Sequence, residues 1–225
     1  MNADEIRKSL HEVLDRIPQH VRLVAVSKYH PANDIMAAYE EGQRIFGESH
    51  EQELSRKVAE LPDDIEWHFI GHLQNNKVKL IAPYISMIES VDSMKLLREI
   101  NKYAAKYNRV IRVLLELHVA QEETKYGFSP EDCRALLRDG EWKTLKNISI
   151  CGLMAMATYT SDESLIAREF GVADALFDEI KGSHFKDDDN FRIKSWGMSH
   201  DYLIAIGHGS NMVRVGTRIF GERQY

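Results

Sequence analysis

The feature that most constrains this chain is a regular alternation of short, apolar, β-rich runs with amphipathic helical stretches. The runs occupy 21–27, 44–47, 66–70, 87–90, 110–119, 148–157, 192–197 and 212–220. Helical patterns fall between them at 34–41, 51–60, 93–107, 130–138 and 164–180, and an amphipathic helix at 3–17 precedes them all. Nearly all-apolar strands separated by helices predict a parallel sheet covered on both faces, because a strand wet on one side would alternate with polar residues. Eight strand–helix units in about 200 residues match the lower size range of a (β/α)8 TIM barrel. An open doubly wound sheet fits the same alternation. The run at 87–90 is the weakest of the eight, and 182–190 reads as a charged loop. A barrel would carry its functional groups at, or just past, the C-terminal ends of its strands.

Composition narrows the function classes. With 225 residues, 44% hydrophobic and 28% charged, the chain is sized for one large domain or two small ones, the count of eight strands favours a single domain over 1–225, and disordered, collagen-like or coiled-coil architectures are excluded. A net charge of −6 gives no bulk attraction to nucleic acid or anionic lipid. The two cysteines, Cys133 and Cys151, have neither CxxC nor CxxH spacing, which argues against a disulfide scaffold or a structural zinc. The N-terminus is polar, and no apolar run approaches the roughly 18 residues of a membrane span. The expectation is a cytoplasmic protein with no metal.

Several residues at the strand ends carry chemistry. Lys28 closes the first run, in LVAVSKYHP. A lysine ending a buried strand either snorkels to solvent or faces a cleft, where desolvation frees its amine for Schiff-base chemistry. Glu48 and His50 follow the second run. His68 alternates with apolar neighbours and is expected to point into the barrel. Four residues on lies His72, but i and i+4 in a strand are about 13 Å apart, too far to share one metal ion. His118, Met154 and Met156 read first as core. In the C-terminal quarter, GMSHD (197–201), GHGS (207–210) and VRVGT (213–217) place glycines and hydroxyls after strands seven and eight. Such groups suit a phosphate site, or are turn glycines with ordinary helix caps. No GxxxxGK[ST] and no helix-opening GxGxxG occurs. By period two Arg214 faces the barrel interior, where it needs an acceptor.

Together the segments AVSKYHP (25–31), FGESHEQE (46–53), WHFIGHLQNNK (67–77), KYGF (125–128), GLMAMA (152–157) and GMSHDYLIAIGHGSNMVRVGTRIFGER (197–223) resemble the YggS/PROSC family of pyridoxal 5′-phosphate (PLP) homeostasis proteins. The resemblance implies a barrel of the alanine racemase N-terminal domain type with an extra N-terminal helix. It implies PLP held as a covalent aldimine on Lys28, with Ser199, Gly216 and Thr217 around the phosphate and Arg214 beside the pyridine nitrogen. It further draws His68, Asn75, Ser49 and Met154 to the cofactor. The chain departs from the family's GENYxQE pattern, since Ser49 and His50 stand where asparagine and tyrosine are usual. An always-protonated arginine at the ring nitrogen disfavours pyridinium and weakens the cofactor as an electron sink. A racemase also needs a second acid/base group, which in alanine racemase comes through a domain that this length does not accommodate. The implied role is therefore PLP binding in intracellular vitamin B6 and amino-acid homeostasis, with PLP-dependent apo-enzymes as recipients and the chain a monomer. A PLP-dependent amino-acid racemase is the alternative, and a cofactor-free barrel using Glu48 with His68 a third reading.

Overall fold

In the computed structural model, which describes residues 1–122 and 126–222, helix α1 (Ala3–Leu14) leads into strand–helix units that close on themselves. These begin with β1 (Arg22–Val26), α2 (Ala32–Glu40), β2 (Ile45–Glu48), α3 (Glu51–Glu60), β3 (Glu66–Phe69) and α4 (Val78–Ile81). Next come β4 (Met87–Val91), α5 (Met94–Lys106), β5 (Ile111–His118), α6 (Pro130–Asp139), β6 (Ile148–Met156) and α7 (Glu163–His184). The circuit ends with β7 (Ile193–Trp196), α8 (Tyr202–Gly207), β8 (Met212–Val215) and α9 (Thr217–Phe220). All strands are parallel, in the order β1 to β8, with β8 paired to β1 through Arg22–Met212 and Ala25–Val215. The barrel is closed, so the open doubly wound sheet is excluded.

Two apolar shells follow from the period of the strands. Alternate side chains pack outward against the helices, in a cluster that includes Phe46, Trp67, Phe69, Ile88, Val113 and Leu115. The others form a smaller inner cluster of Val24, Ile45, Met87, Leu114, Cys151, Met154, Ile193 and Met212. α1 starts with a reciprocal cap, in which Asn2 Oδ1 accepts from Glu5 N at 2.9 Å and Glu5 Oε2 accepts from Asn2 N at 2.8 Å. It buries Ile6, Leu10 and Val13 and packs on α2 and α9. Among the described residues no helix is long and apolar enough to cross a membrane, and no group of three metal-ligating side chains occurs.

Some boundaries differ from the sequence reading. The run at 212–220 is a four-residue strand and then a helical turn, because Gly216 leaves the β region and the adjacent Ile219 and Phe220 are both buried in the outer cluster. Glu48 belongs to β2 rather than lying past it. α7 continues to His184, through the start of the expected loop, with Lys181 and His184 in its last turn. The run at 87–90 forms a completely buried five-residue strand. Two short helices, α4 and α8, had no periodicity long enough to reveal them.

Gly152 sits at φ +152°, and a Cβ there would lie 1.9 Å from Ile193 O on β7. Gly171, inside α7, has nothing within 4 Å of its Cβ position. Gly152→Ala is therefore expected to lower the melting temperature, whereas Gly171→Ala raises stability by about 0.5–1 kcal/mol. Thermal denaturation of the two variants checks these opposite signs.

Candidate functional site

The C-terminal half of the barrel interior is polar, and Arg214 organises it. β8 buries Met212 and Arg214 inward, and the Arg214 side chain is 3% exposed. Its NH1 donates to Ser195 O and Oγ, both at 2.7 Å, and its NH2 to Ala155 O at 2.9 Å. Ser195 Oγ donates to Glu89 Oε2 at 2.6 Å, and Glu89 Oε1 lies 2.6 Å from His68 Nδ1. Arg214 NH1 is 3.8 Å from Glu89 Oε2. Burial alone would raise the Glu89 carboxyl, but the hydrogen bond and charge of His68, the charge of Arg214 and the Ser195 hydroxyl outweigh it and hold Glu89 below the usual carboxylate range. Burial pulls the Arg214 guanidinium down, and Glu89, Asp201 and Glu116 oppose it.

Lys28 follows β1 in a turn gripped from behind. Lys57 Nζ, buried on α3, donates to Ser27 O at 2.8 Å and to Glu48 Oε1 and Glu53 Oε1 at 2.7 Å each. Ser27 Oγ donates to Glu48 Oε1 at 2.6 Å, and Tyr29 N to Glu53 Oε1 at 2.7 Å. Tyr29 has φ +68°, a left-handed conformation that costs a non-glycine residue roughly 1–2 kcal/mol. Tyr29 Oη and His50 Nε2 are 2.6 Å apart. Lys28 itself is half-buried. Burial pushes the Glu48 carboxyl up to about 7 despite the opposing pull of Lys57 and Ser27.

Neighbouring strands bring most of the sequence-predicted residues together. A Cβ on Gly216 would lie 3.0 Å from Val26 O, so β8 abuts the strand that leads to Lys28. Ser199 Oγ accepts from Gly216 N at 3.1 Å, and Arg218 Nε donates to Ser199 O. Arg214 N donates to Gly197 O at 3.0 Å. Gly197, at φ +96°, has no room for a Cβ, which would meet Ala205 Cβ at 2.6 Å. Thr217 is exposed just past Gly216. His68 points inward as expected, and Met154 is fully buried in the inner cluster, in register with Ser195. Ser49 is packed so tightly on Gly71 that a Cβ there would meet Ser49 O at 2.6 Å. Asn75 lines a cavity of about 420 Å³ with His72, Asp92 and Ser93. Glu48 is turned outward to α3 while His68 faces inward, so the pair required by the cofactor-free reading is not formed. The sequence reading missed Glu89 and Ser195, although a carboxylate at an inward position of an apolar strand was a usable signal.

The alanine racemase N-terminal domain family matches residues 1–224. A pyridoxal phosphate homeostasis protein of Pasteurella multocida is 36% identical over 230 residues, covering 100% of this chain and 97% of that protein. The Homo sapiens protein of the same name is 37% identical over 214 residues, covering 91% of this chain and 77% of its own. The chain belongs to the pyridoxal phosphate homeostasis protein family. Its relative PipY of Synechococcus elongatus, solved with PLP bound, superposes with a TM-score of 0.87 at 33% identity, covering 96% of this chain and 100% of PipY. Alanine racemase of Streptomyces coelicolor shares the fold, with a TM-score of 0.79 at 18% identity, and this chain spans 58% of that enzyme's length. The family's barrel is thus the alanine racemase N-terminal barrel, with α1 preceding β1.

The Lys57 cluster yields a signed expectation. Because the folded Glu48 carboxyl sits near 7, above its ordinary 4.5, the folded state holds an extra proton between those values. Glu48 therefore makes stability fall as pH rises from about 4.5 to about 7. Removing the cation in Lys57→Met strands Glu48 and Glu53, at an expected cost of about 3–5 kcal/mol. The loss is expected to be larger at pH 8, where Glu48 is ionised, than at pH 5.5, and denaturant unfolding at the two pH values measures it.

Proposed function

We propose that this chain binds PLP at the C-terminal mouth of the barrel, with Lys28 as the amine that takes its aldehyde in a Schiff base. In this reading it serves cytoplasmic PLP and amino-acid homeostasis as a monomeric carrier for PLP-dependent apo-enzymes. The observation that carries the proposal is the buried Arg214 guanidinium, fixed by Ser195 and Ala155 on the same side of the barrel as the Lys28 turn. The other groups fit the same cofactor. Ser199 Oγ already accepts from Gly216 N, so its own proton is left for a phosphate oxygen, and Thr217 adds a second hydroxyl. Met154 supplies an apolar floor, and Glu89 with His68 holds Ser195 against Arg214.

When bound, PLP supplies an electrophilic aldehyde and a conjugated ring able to accept electrons. The residues of this chain favour holding it over catalysis. Arg214 is a permanent donor, so it favours an unprotonated ring nitrogen and blunts the ring's capacity to stabilise a carbanion. His50, at the position where tyrosine is usual, is engaged with Tyr29 and so braces the Lys28 turn.

The purified protein mixed with PLP is expected to show a Schiff-base absorbance band that borohydride locks onto the peptide containing Lys28, and Lys28→Ala is expected to lose it. A Lys28→Ala protein forming the reducible adduct at full strength contradicts the assignment. Deuterium exchange at Cα of any amino acid, faster than with free PLP, would favour the racemase instead.

A further inference from the structure

Glu116 is a buried carboxylate inside the barrel that the site described above does not use. β5 alternates, with Leu114 in the inner cluster and Leu115 and Leu117 in the outer one, so Glu116 projects inward two residues before the strand ends. It is 3% exposed and lies in register with Met154 on β6. Its backbone oxygen accepts from Phe128 N at 2.7 Å. No side-chain hydrogen bond or ion pair reaches its carboxylate among the described residues. The charges that face it come from its neighbours. They are Arg214 on β8 and Asp92 just past β4, which pairs with His72 Nδ1 at 3.2 Å; Glu89 on β4, paired with His68 of β3, also projects into the barrel. Lys28 stands beyond β1 and His118 further along β5. β2 and β6 present Gly47 and the methionines Met154 and Met156, and β7 presents Ser195. Burial, reinforced by Asp92 and opposed by Arg214, pushes the Glu116 carboxyl up to about 7.

A carboxylate with no side-chain partner among the described residues, in this position, is unfavourable for an anion entering the same space. Resting on the PLP reading above, we propose that Glu116 sets how tightly the barrel retains its phosphorylated cofactor. As a neutral acid it tolerates the ligand's negative charge, and as a carboxylate it repels it. The only proton moved is the one on the Glu116 carboxyl, exchanged with solvent. Retention then weakens through neutral pH, and by linkage ligand binding draws a proton onto Glu116.

The test uses pyridoxine 5′-phosphate, which has no aldehyde, so the ionisation of Lys28 as a Schiff-base nucleophile does not enter. Its Kd is measured by calorimetry for the wild-type protein and for Glu116→Gln from pH 6 to pH 8.5. The ratio of wild-type to variant Kd is expected to be near one at pH 6 and to rise about tenfold by pH 8.5. A ratio that stays flat overturns the proposal. A second measurement compares the wild-type protein with Glu116→Gln. At pH 7.5, where the phosphate is already a dianion, binding heats in buffers of different ionisation enthalpy are expected to show more proton uptake by the wild-type protein than by the variant. Equal uptake by the two contradicts the role of Glu116. Failure of the PLP reading itself looks different, because the wild-type protein then binds neither pyridoxine 5′-phosphate nor PLP at any pH.

Discussion

The burial of one guanidinium governs the upper half of this barrel. An arginine cannot shed its proton, so placing Arg214 in the interior obliges the surrounding strands to supply acceptors and a counter-charge. Ala155 of β6 and Ser195 of β7 give the oxygens, Glu89 of β4 gives the charge, and His68 of β3 holds Glu89. One side chain thereby ties five strands together, and the apolar filling of the lower barrel, around Ile45, Met87, Leu114 and Met212, stops below it. The same bonds aim a rigid, pre-oriented donor at the mouth without reorganisation when a ligand arrives.

The second constraint is the turn that carries Lys28. Tyr29 at φ +68° is held by carboxylates and a lysine lying outside the barrel, between β2 and α3. Glu53 takes the Tyr29 N–H, and Lys57 neutralises Glu53 and Glu48 while bonding Ser27 O. Two buried charge systems therefore flank the mouth, one inside the barrel beneath Arg214 and one behind the Lys28 turn. Their partners differ because β-strand alternation sends Glu48 outward and His68 inward. The strain at Tyr29 and the buried Glu48 are offset by the interlocking bonds around them.

Much of this was legible in the sequence because strand alternation and strand-end placement are local properties. The eight runs gave the barrel, and period two correctly turned His68 and Arg214 inward. Local patterning failed where the chain changes state within one run, as at Gly216, where a strand becomes a helical turn whose exposed Thr217 and Arg218 still fit a strand's alternation. It also failed for α4 and α8, which at four and six residues are too short for a helical period. Arg214 was readable as an inward charge, but its partners were not. Glu89 and Ser195 lie 106 residues apart in sequence, and only barrel closure makes them neighbours. Asn75 belongs to a conspicuous motif, but the 3₁₀ turn at Asn75–Lys77 that carries it and the cavity it shares with Asp92 have no local sequence signal.

The central claim is that Lys28 and Arg214 act on one cofactor across the mouth of the barrel. A crystal structure of the chain grown with PLP tests it most directly. The account predicts continuous density from Lys28 Nζ to the cofactor, the ring nitrogen within hydrogen-bonding distance of Arg214, and the phosphate against Ser199, Gly216 and Thr217. PLP attached to another lysine, or lying with its ring nitrogen away from an undisturbed Arg214–Ser195–Glu89–His68 chain, would contradict it.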